Sequence, residues 1–258
     1  IVTIFSLIYG FTSLGGRGSS KSLALVSLSV FVVSFVLLFA VERRNPRPVI
    51  DFGLFGNVTF SSSMAASLIS FSTMYSPTIL VPFYLQGTLG LSPEVSGLYL
   101  LAFPVAMAVL SPLSGRLSDR IGSRPLAVAA LALNGLALAF FGGIGPASPP
   151  WLILFPLFAM GIGFGLFQSP NNSAALGSAP KEKLGTANAI TQLVKNLGMV
   201  IGISFSTVAF SSLMGTRHIS DSAAFLGSAR WVYWGAAILS FVGAYIASLR
   251  TRARGATA

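Results

Sequence analysis

Cysteine is absent from the 258 residues, which excludes a disulfide framework, a thiolate metal site and a cysteine nucleophile. Charge is scarce: Asp, Glu, Lys and Arg make up 9% of the chain, whereas soluble domains carry roughly 25%. The single histidine, His218, stands near Asp221 with no His/Glu cluster that would hold a metal, and no G-x-S-x-G elbow occurs. These absences leave no enzyme chemistry to assign, and no cofactor or metal is expected.

What the chain has instead is apolar surface. Hydrophobic residues make up 53% and the mean hydropathy is +0.80, the composition of a protein dissolved in lipid. The formal charge of +10 would suggest nucleic acid in a soluble protein. Here the basic residues lie between apolar runs and not along a helix face, so no nucleic-acid partner is expected and the lipid bilayer is.

The first apolar run, Ile1 to Leu14, falls short of the ~20 residues a spanning helix needs and is expected to be the cut end of a helix. Nothing basic precedes it, so it does not have the form of a secretory signal. Seven further runs approach or exceed spanning length: Ser22 to Val41, Phe60 to Tyr84, Pro93 to Ser114, Pro125 to Gly142, Trp151 to Gln168, Gly185 to Leu213 and Trp231 to Leu249. The expected fold is all-α integral membrane, with kinks at Pro77, Pro82, Pro104 and Pro156, since neighbouring helices can satisfy the backbone groups that proline frees.

Short cytoplasmic loops carry the excess of Lys and Arg. Alternating the runs puts Arg43, Arg44, Arg47, Arg116, Arg120, Arg124, Lys181, Lys183, Arg250, Arg252 and Arg254 on one side, and Arg17, Lys21, Arg217 and Arg230 on the other. Eleven against four assigns the first side and the C-terminus to the cytoplasm, with Lys195 left inside a helix. The potential glycosylation sites at Asn57 and Asn171 then face the cytoplasm and are expected to be unmodified.

Polar residues inside the runs are the candidates for function. Asn188, Gln192, Lys195 and Asn196 fall at i, i+4, i+7 and i+8 and form one polar stripe that must face protein or water. Two readings of Lys195 stand: part of a transport route, since ionisable groups in membranes usually serve one, or a side chain snorkelling to the interface beside interhelical hydrogen bonds. Asn134, Gln168, Asn171 and Asn172 either line a cavity or tie helices together. Tyr75, Phe83 and Tyr84, followed by Gln86, either form an aromatic wall for lipophilic cations or pack. Gly161, Gly163, Gly165, Gly198 and Gly202 are expected to permit close helix packing, and Ser92-Pro93-Glu94 to open a helix.

The most specific signal is Gly115-Arg-Leu-Ser-Asp119-Arg120-Ile-Gly122-Ser-Arg124, between two runs. A positive-inside loop needs only the arginines, and this one adds glycines and an aspartate at fixed spacing. It resembles the G-x-x-x-D-R-x-G-x-R signature of the major facilitator superfamily, in the copy found in the second bundle. With Val81-Pro-Phe-Tyr-Leu-Gln86, Gly163 to Ser173 and Lys195-Asn-Leu-Gly198, the chain is similar to the fourteen-helix drug:proton antiporter branch, except that Lys195 stands where arginine is commoner. The resemblance implies a truncated helix plus one linker helix in residues 1–41, a cytoplasmic linker in 42–59 and a carboxy-terminal six-helix transporter bundle in 60–258. It also implies a cytoplasmic gating latch at Gly115, Asp119, Arg120, Gly122 and Arg124, and a multi-pass protein of the cell membrane.

A proton-coupled exporter needs a membrane-embedded carboxylate, yet Glu42, Asp51, Glu94, Asp119, Glu182 and Asp221 all fall in loops or at helix ends. The expected partners are therefore a small-molecule substrate, protons and a missing amino-terminal bundle of the same polypeptide that carries the coupling group. Three functional readings follow: a drug exporter lacking its first bundle, an exporter of a metabolite or siderophore on the same scaffold, and a half-length membrane component that transports nothing.

Overall fold

A computed structural model of the chain describes residues 51–215 and 217–250, preceded by six helical positions at Val26, Ser29, Val30, Val33, Ser34 and Leu37. The expected Ile1–Leu14 stub, most of the Ser22–Val41 helix, the linker up to residue 50, and Arg252 and Arg254 lie outside the described residues. Among those described, six helices are long and apolar enough to cross a membrane: α1 Val58–Thr88, α2 Pro93–Ile121, α3 Ser123–Gly143, α4 Pro150–Gly177, α5 Lys181–Met214 and α6 Ser222–Ser248. One end of the set carries Arg116, Arg120, Arg124, Lys181, Lys183 and Arg250, and is called here the basic end.

Local chemistry sets the helix ends. Asn57 caps α1, its Oδ1 accepting from the N–H groups of Thr59 and Phe60, and Asp221 caps α6 by accepting from Ala223 and Ala224. Ser92 accepts from Val95 at the start of α2, with Pro93 in the first turn, as the sequence suggests. In α1 the α-helical ladder ends at Pro82, which has no N–H to give, and Phe83–Thr88 continues as a π-helical turn. Pro104 frees a carbonyl in the same way, and α2 is interrupted at Leu101. Pro156 falls in the first α-helical turn of α4, where its missing N–H breaks no ladder bond.

Several helices run past their expected ends. Helix α2 continues to Ile121, so Gly115, Asp119 and Arg120 occupy its last two turns and only Gly122 separates α2 from α3. Gly122 has φ +89° and ψ 157°, a region closed to residues with a side chain, and its N–H bonds the Ser118 carbonyl. Helix α4 continues through Pro170 to Gly177, which puts Asn171 and Asn172 inside a helix and not at its end. Helix α6 starts at Ser222, so Arg230, expected in a loop, is helical and its Nε donates to the Gly142 carbonyl at 3.0 Å. Membrane length sets a minimum for a span, and nothing in the lipid requirement stops the helix there.

The helices pack as pairs α3/α6, α2/α4, α1/α5 and α3/α4, with α1 also against α6 and α4. Helices α1, α3, α4 and α6 thus form the centre, while α5 flanks α1 and α2 flanks α4. Glycine brings α1 and α5 into backbone contact: a Cβ at Gly198 would lie 2.6 Å from the Leu68 carbonyl oxygen, and one at Gly202 2.1 Å from that of Ser72. The Ser72 hydroxyl donates to the Gly198 carbonyl at 3.0 Å across this seam. Gly161 serves α2/α4 in the same way, a Cβ there falling 2.3 Å from the Phe103 carbonyl.

Before α1, the turn Phe52–Gly56 is tied to the α4–α5 connection. Lys183 Nζ lies 2.6 Å from an Asp51 carboxylate oxygen, and Asn57 donates to the Ser178 carbonyl at 3.2 Å. The Lys183 hydrogen bond, helped by the Gly53 N–H, holds the Asp51 carboxyl below its ordinary value of 3.8.

Because the Ser72 carbonyl belongs to a helix backbone and cannot swing aside, Gly202→Ala is expected to lose about 1–3 kcal/mol. Gly143→Ala, with nothing within 4 Å of its added Cβ, is expected to be neutral or slightly stabilising. Thermal unfolding of both variants in detergent checks the pair; equal melting temperatures would remove the role given to the α1/α5 seam.

Candidate functional site

The residues singled out from the sequence separate into three places. The first is the end of α2, where Arg116, Asp119, Arg120 and Arg124 are exposed and make no ion pair with any described residue. Gly115 has open space where a side chain would start, so this bundle alone does not require glycine there. Gly122 is required by its backbone, as described above.

The second place is α5. Asn188, Gln192 and Asn196 recur every four residues and are all exposed, whereas Lys195 turns inward to 6% exposure. The expected stripe is therefore split: three amides face outward and the ammonium lies 5.7 Å from the centre of the Phe71 ring on α1. The α5 helix crosses this region against α1 through the Gly198 and Gly202 contacts, which fixes the depth of Lys195 relative to Phe71. On α2, the apolar side chains Leu98, Leu101, Val105, Val109 and Leu113 are likewise exposed, and only 11% of its central stretch is buried.

The third place is buried at the basic end. Asn171 on α4 is 1% exposed and donates from Nδ2 to the Ser67 hydroxyl at 2.7 Å and to the Ser63 carbonyl at 3.2 Å, both on α1. Its Oδ1 accepts from Nη2 of Arg250, the second residue past α6, itself 1% exposed. Burial lowers the Arg250 guanidinium to about 10, so it stays charged at neutral pH. One amide thus joins α1, α4 and the end of α6.

The remaining candidates lie apart from these. Tyr84 is buried, its ring 5.7 Å from that of Phe225, around a gap of about 10 Å³ shared with Phe141 and Tyr233, too small for a substrate. Asn134 is buried on α3 facing Gly163, where a Cβ would lie 2.3 Å from its Oδ1. Tyr75 and Gln168 are half-buried and Gln86 is exposed. Sequence reasoning placed Arg250 in a loop with the other arginines. The signal available was its position directly after Leu249, together with Ser63, Ser67 and Asn171 at the same depth of the bundle.

If Asn171 is the acceptor that makes a buried Arg250 tolerable, Asn171→Leu is expected to cost about 3 kcal/mol, and adding Arg250→Met to recover much of it. A double-mutant cycle by thermal unfolding measures this, and additive losses would show that the two residues do not act together.

Comparison with known proteins agrees with this architecture. The family model described as Major Facilitator Superfamily matches residues 1–203 and, in an overlapping alignment, 64–257. An uncharacterized transporter of Escherichia coli (strain K12), YebQ, is 33% identical over 249 residues, covering 93% of this chain and 50% of that protein. The riboflavin transporter RibZ of Clostridioides difficile (strain 630) is 28% identical, covering 82% and 47%. The multidrug resistance protein Stp of Mycobacterium tuberculosis (strain ATCC 25618 / H37Rv) is 30% identical, covering 79% and 38%. The chain spans about half the length of the curated relatives it matches. With six membrane-length helices among the described residues and family matches that together reach from residue 1 to 257, this is a multi-pass membrane protein that belongs to the major facilitator superfamily.

Proposed function

We propose that this chain is the carboxy-terminal part of an exporter that expels small lipophilic compounds in exchange for protons across the cell membrane. The observation that carries the reading is the exposed row Asn188, Gln192 and Asn196 on α5. Lipid tails offer amides no hydrogen bonds, so this face needs water or a second bundle against it. A site formed between two bundles near the membrane midplane has that character, and alternating access rocks one bundle against the other. Residues 60–258 then form the second bundle, residues 1–41 the linker helices and 42–59 the cytoplasmic linker, with the basic end and C-terminus in the cytoplasm.

Proton coupling in this reading comes from elsewhere in the polypeptide. Asp51, Glu94, Asp119, Glu182 and Asp221 all sit in end turns or connections, and a coupling carboxylate has to be reached from within the cavity. Asp119, which pairs with no described residue, and its arginines suit a cytoplasmic latch that engages the other bundle in one state and releases it in the other. A second reading, export of a metabolite, is favoured by the relative named a riboflavin transporter.

Dye efflux in everted vesicles tests the reading, comparing this chain with the longer reading frame that contains it. Proton-driven efflux is expected only from the longer form; efflux by this chain alone would overturn the division of labour. In the longer form Asp119→Asn is expected to reduce efflux about tenfold or more without changing membrane insertion. Unchanged efflux would withdraw the latch.

A further inference from the structure

Lys195 poses a problem that the α5 amides do not. It sits near the middle of a span, 6% exposed, with the Phe71 ring under its ammonium. The ion pair found among the described residues is Lys183 with Asp51, and no carboxylate, carbonyl or hydroxyl of a described residue accepts a hydrogen bond from Lys195. Cation–π attraction offsets only part of what an unpaired ammonium costs inside a membrane. The geometry of α5 shows where a counter-charge can enter. Gln192 precedes Lys195 by one turn and Asn196 follows it directly, both on the exposed face, so Lys195 is rooted beside the open side of the bundle while its ammonium reaches toward Phe71.

We propose that Lys195 is an anion-binding point in the transport pathway and that it selects substrates bearing a carboxylate, acidic or zwitterionic. The inference rests on the exporter reading above and gives it a substrate class. The ammonium takes the carboxylate, while the Gln192 and Asn196 amides hydrogen-bond neighbouring polar groups of the same molecule. Phe71 holds the ammonium from the α1 side. The same charge works against permanent cations: in a site shielded from water, a second positive charge near Lys195 is repelled more strongly than in solution. Of the three residues offered for an aromatic wall, Tyr84 is enclosed in the core, Tyr75 is half-buried and Phe83 is exposed.

The test uses three dyes in everted vesicles bearing the longer reading frame: fluorescein as the carboxylate, ethidium as the permanent cation and Nile red as the uncharged probe. The wild type is expected to favour fluorescein over ethidium. Lys195→Gln is expected to lower the fluorescein-to-ethidium efflux ratio about tenfold, and Lys195→Arg to keep it. A wild type that favours ethidium overturns the proposal without any variant. An unchanged ratio in Lys195→Gln does the same. Equal loss of all three dyes, in a variant that inserts normally, also overturns it, by assigning Lys195 to a carboxylate of the protein instead. If the wild type exports none of the three, Nile red included, the exporter reading fails and the substrate class with it.

Discussion

Hydrocarbon supplies no hydrogen bonds, so each polar group in a membrane-spanning chain has to be satisfied by the chain itself or by a water-filled face. That constraint produces long helices and decides how they meet. Apolar side chains gain little by leaving lipid for one another, so association rests on contact area and on hydrogen bonds between helices. The Gly198 and Gly202 seam between α1 and α5, with Ser72 donating across it to a carbonyl, follows from this. Ser240 of α6 bonds the Leu131 carbonyl of α3 at 2.8 Å for the same reason. Thr73, Thr191 and Ser228 turn their hydroxyls back onto their own helices.

Polar side chains that cannot be disposed of in this way have two destinations. Asn171 goes inward and becomes a junction, spending its donors on α1 and its acceptor on Arg250. Asn188, Gln192 and Asn196 go outward, onto a face that is incomplete without another partner. The two outcomes use the same residue type at similar hydropathy, and they differ because α4 lies at the centre of the bundle while α5 lies at its flank. Lys195 stands between them, buried by its packing on Phe71 and adjacent to the outward row.

Much of the architecture was legible beforehand. Apolar run length gave all six described spans, because a span has a minimum length and carries few charges. The glycines of α4 and α5 were readable as contact points, since a glycine inside an apolar helix has little other use there. Helix ends were read less well: Asp119 and Arg120 look like loop residues because they are charged, yet α2 carries them as its last turns outside the apolar stretch. Arg230 was hidden for the same reason, a helix beginning well before the apolar run does. Tyr84 illustrates another limit, because an aromatic after a proline can be read as wall or as core until its neighbours are known.

The sequence by itself determined that the chain crosses the membrane repeatedly, where it crosses, and which family signature joins α2 to α3, because hydropathy, charge placement and the backbone demand at Gly122 are local properties. Only the tertiary structure decided which polar residues of those helices face inward, which face outward and that Arg250 is buried on Asn171. Those outcomes depend on which helix stands beside which, and periodicity along one helix carries no information about its neighbours.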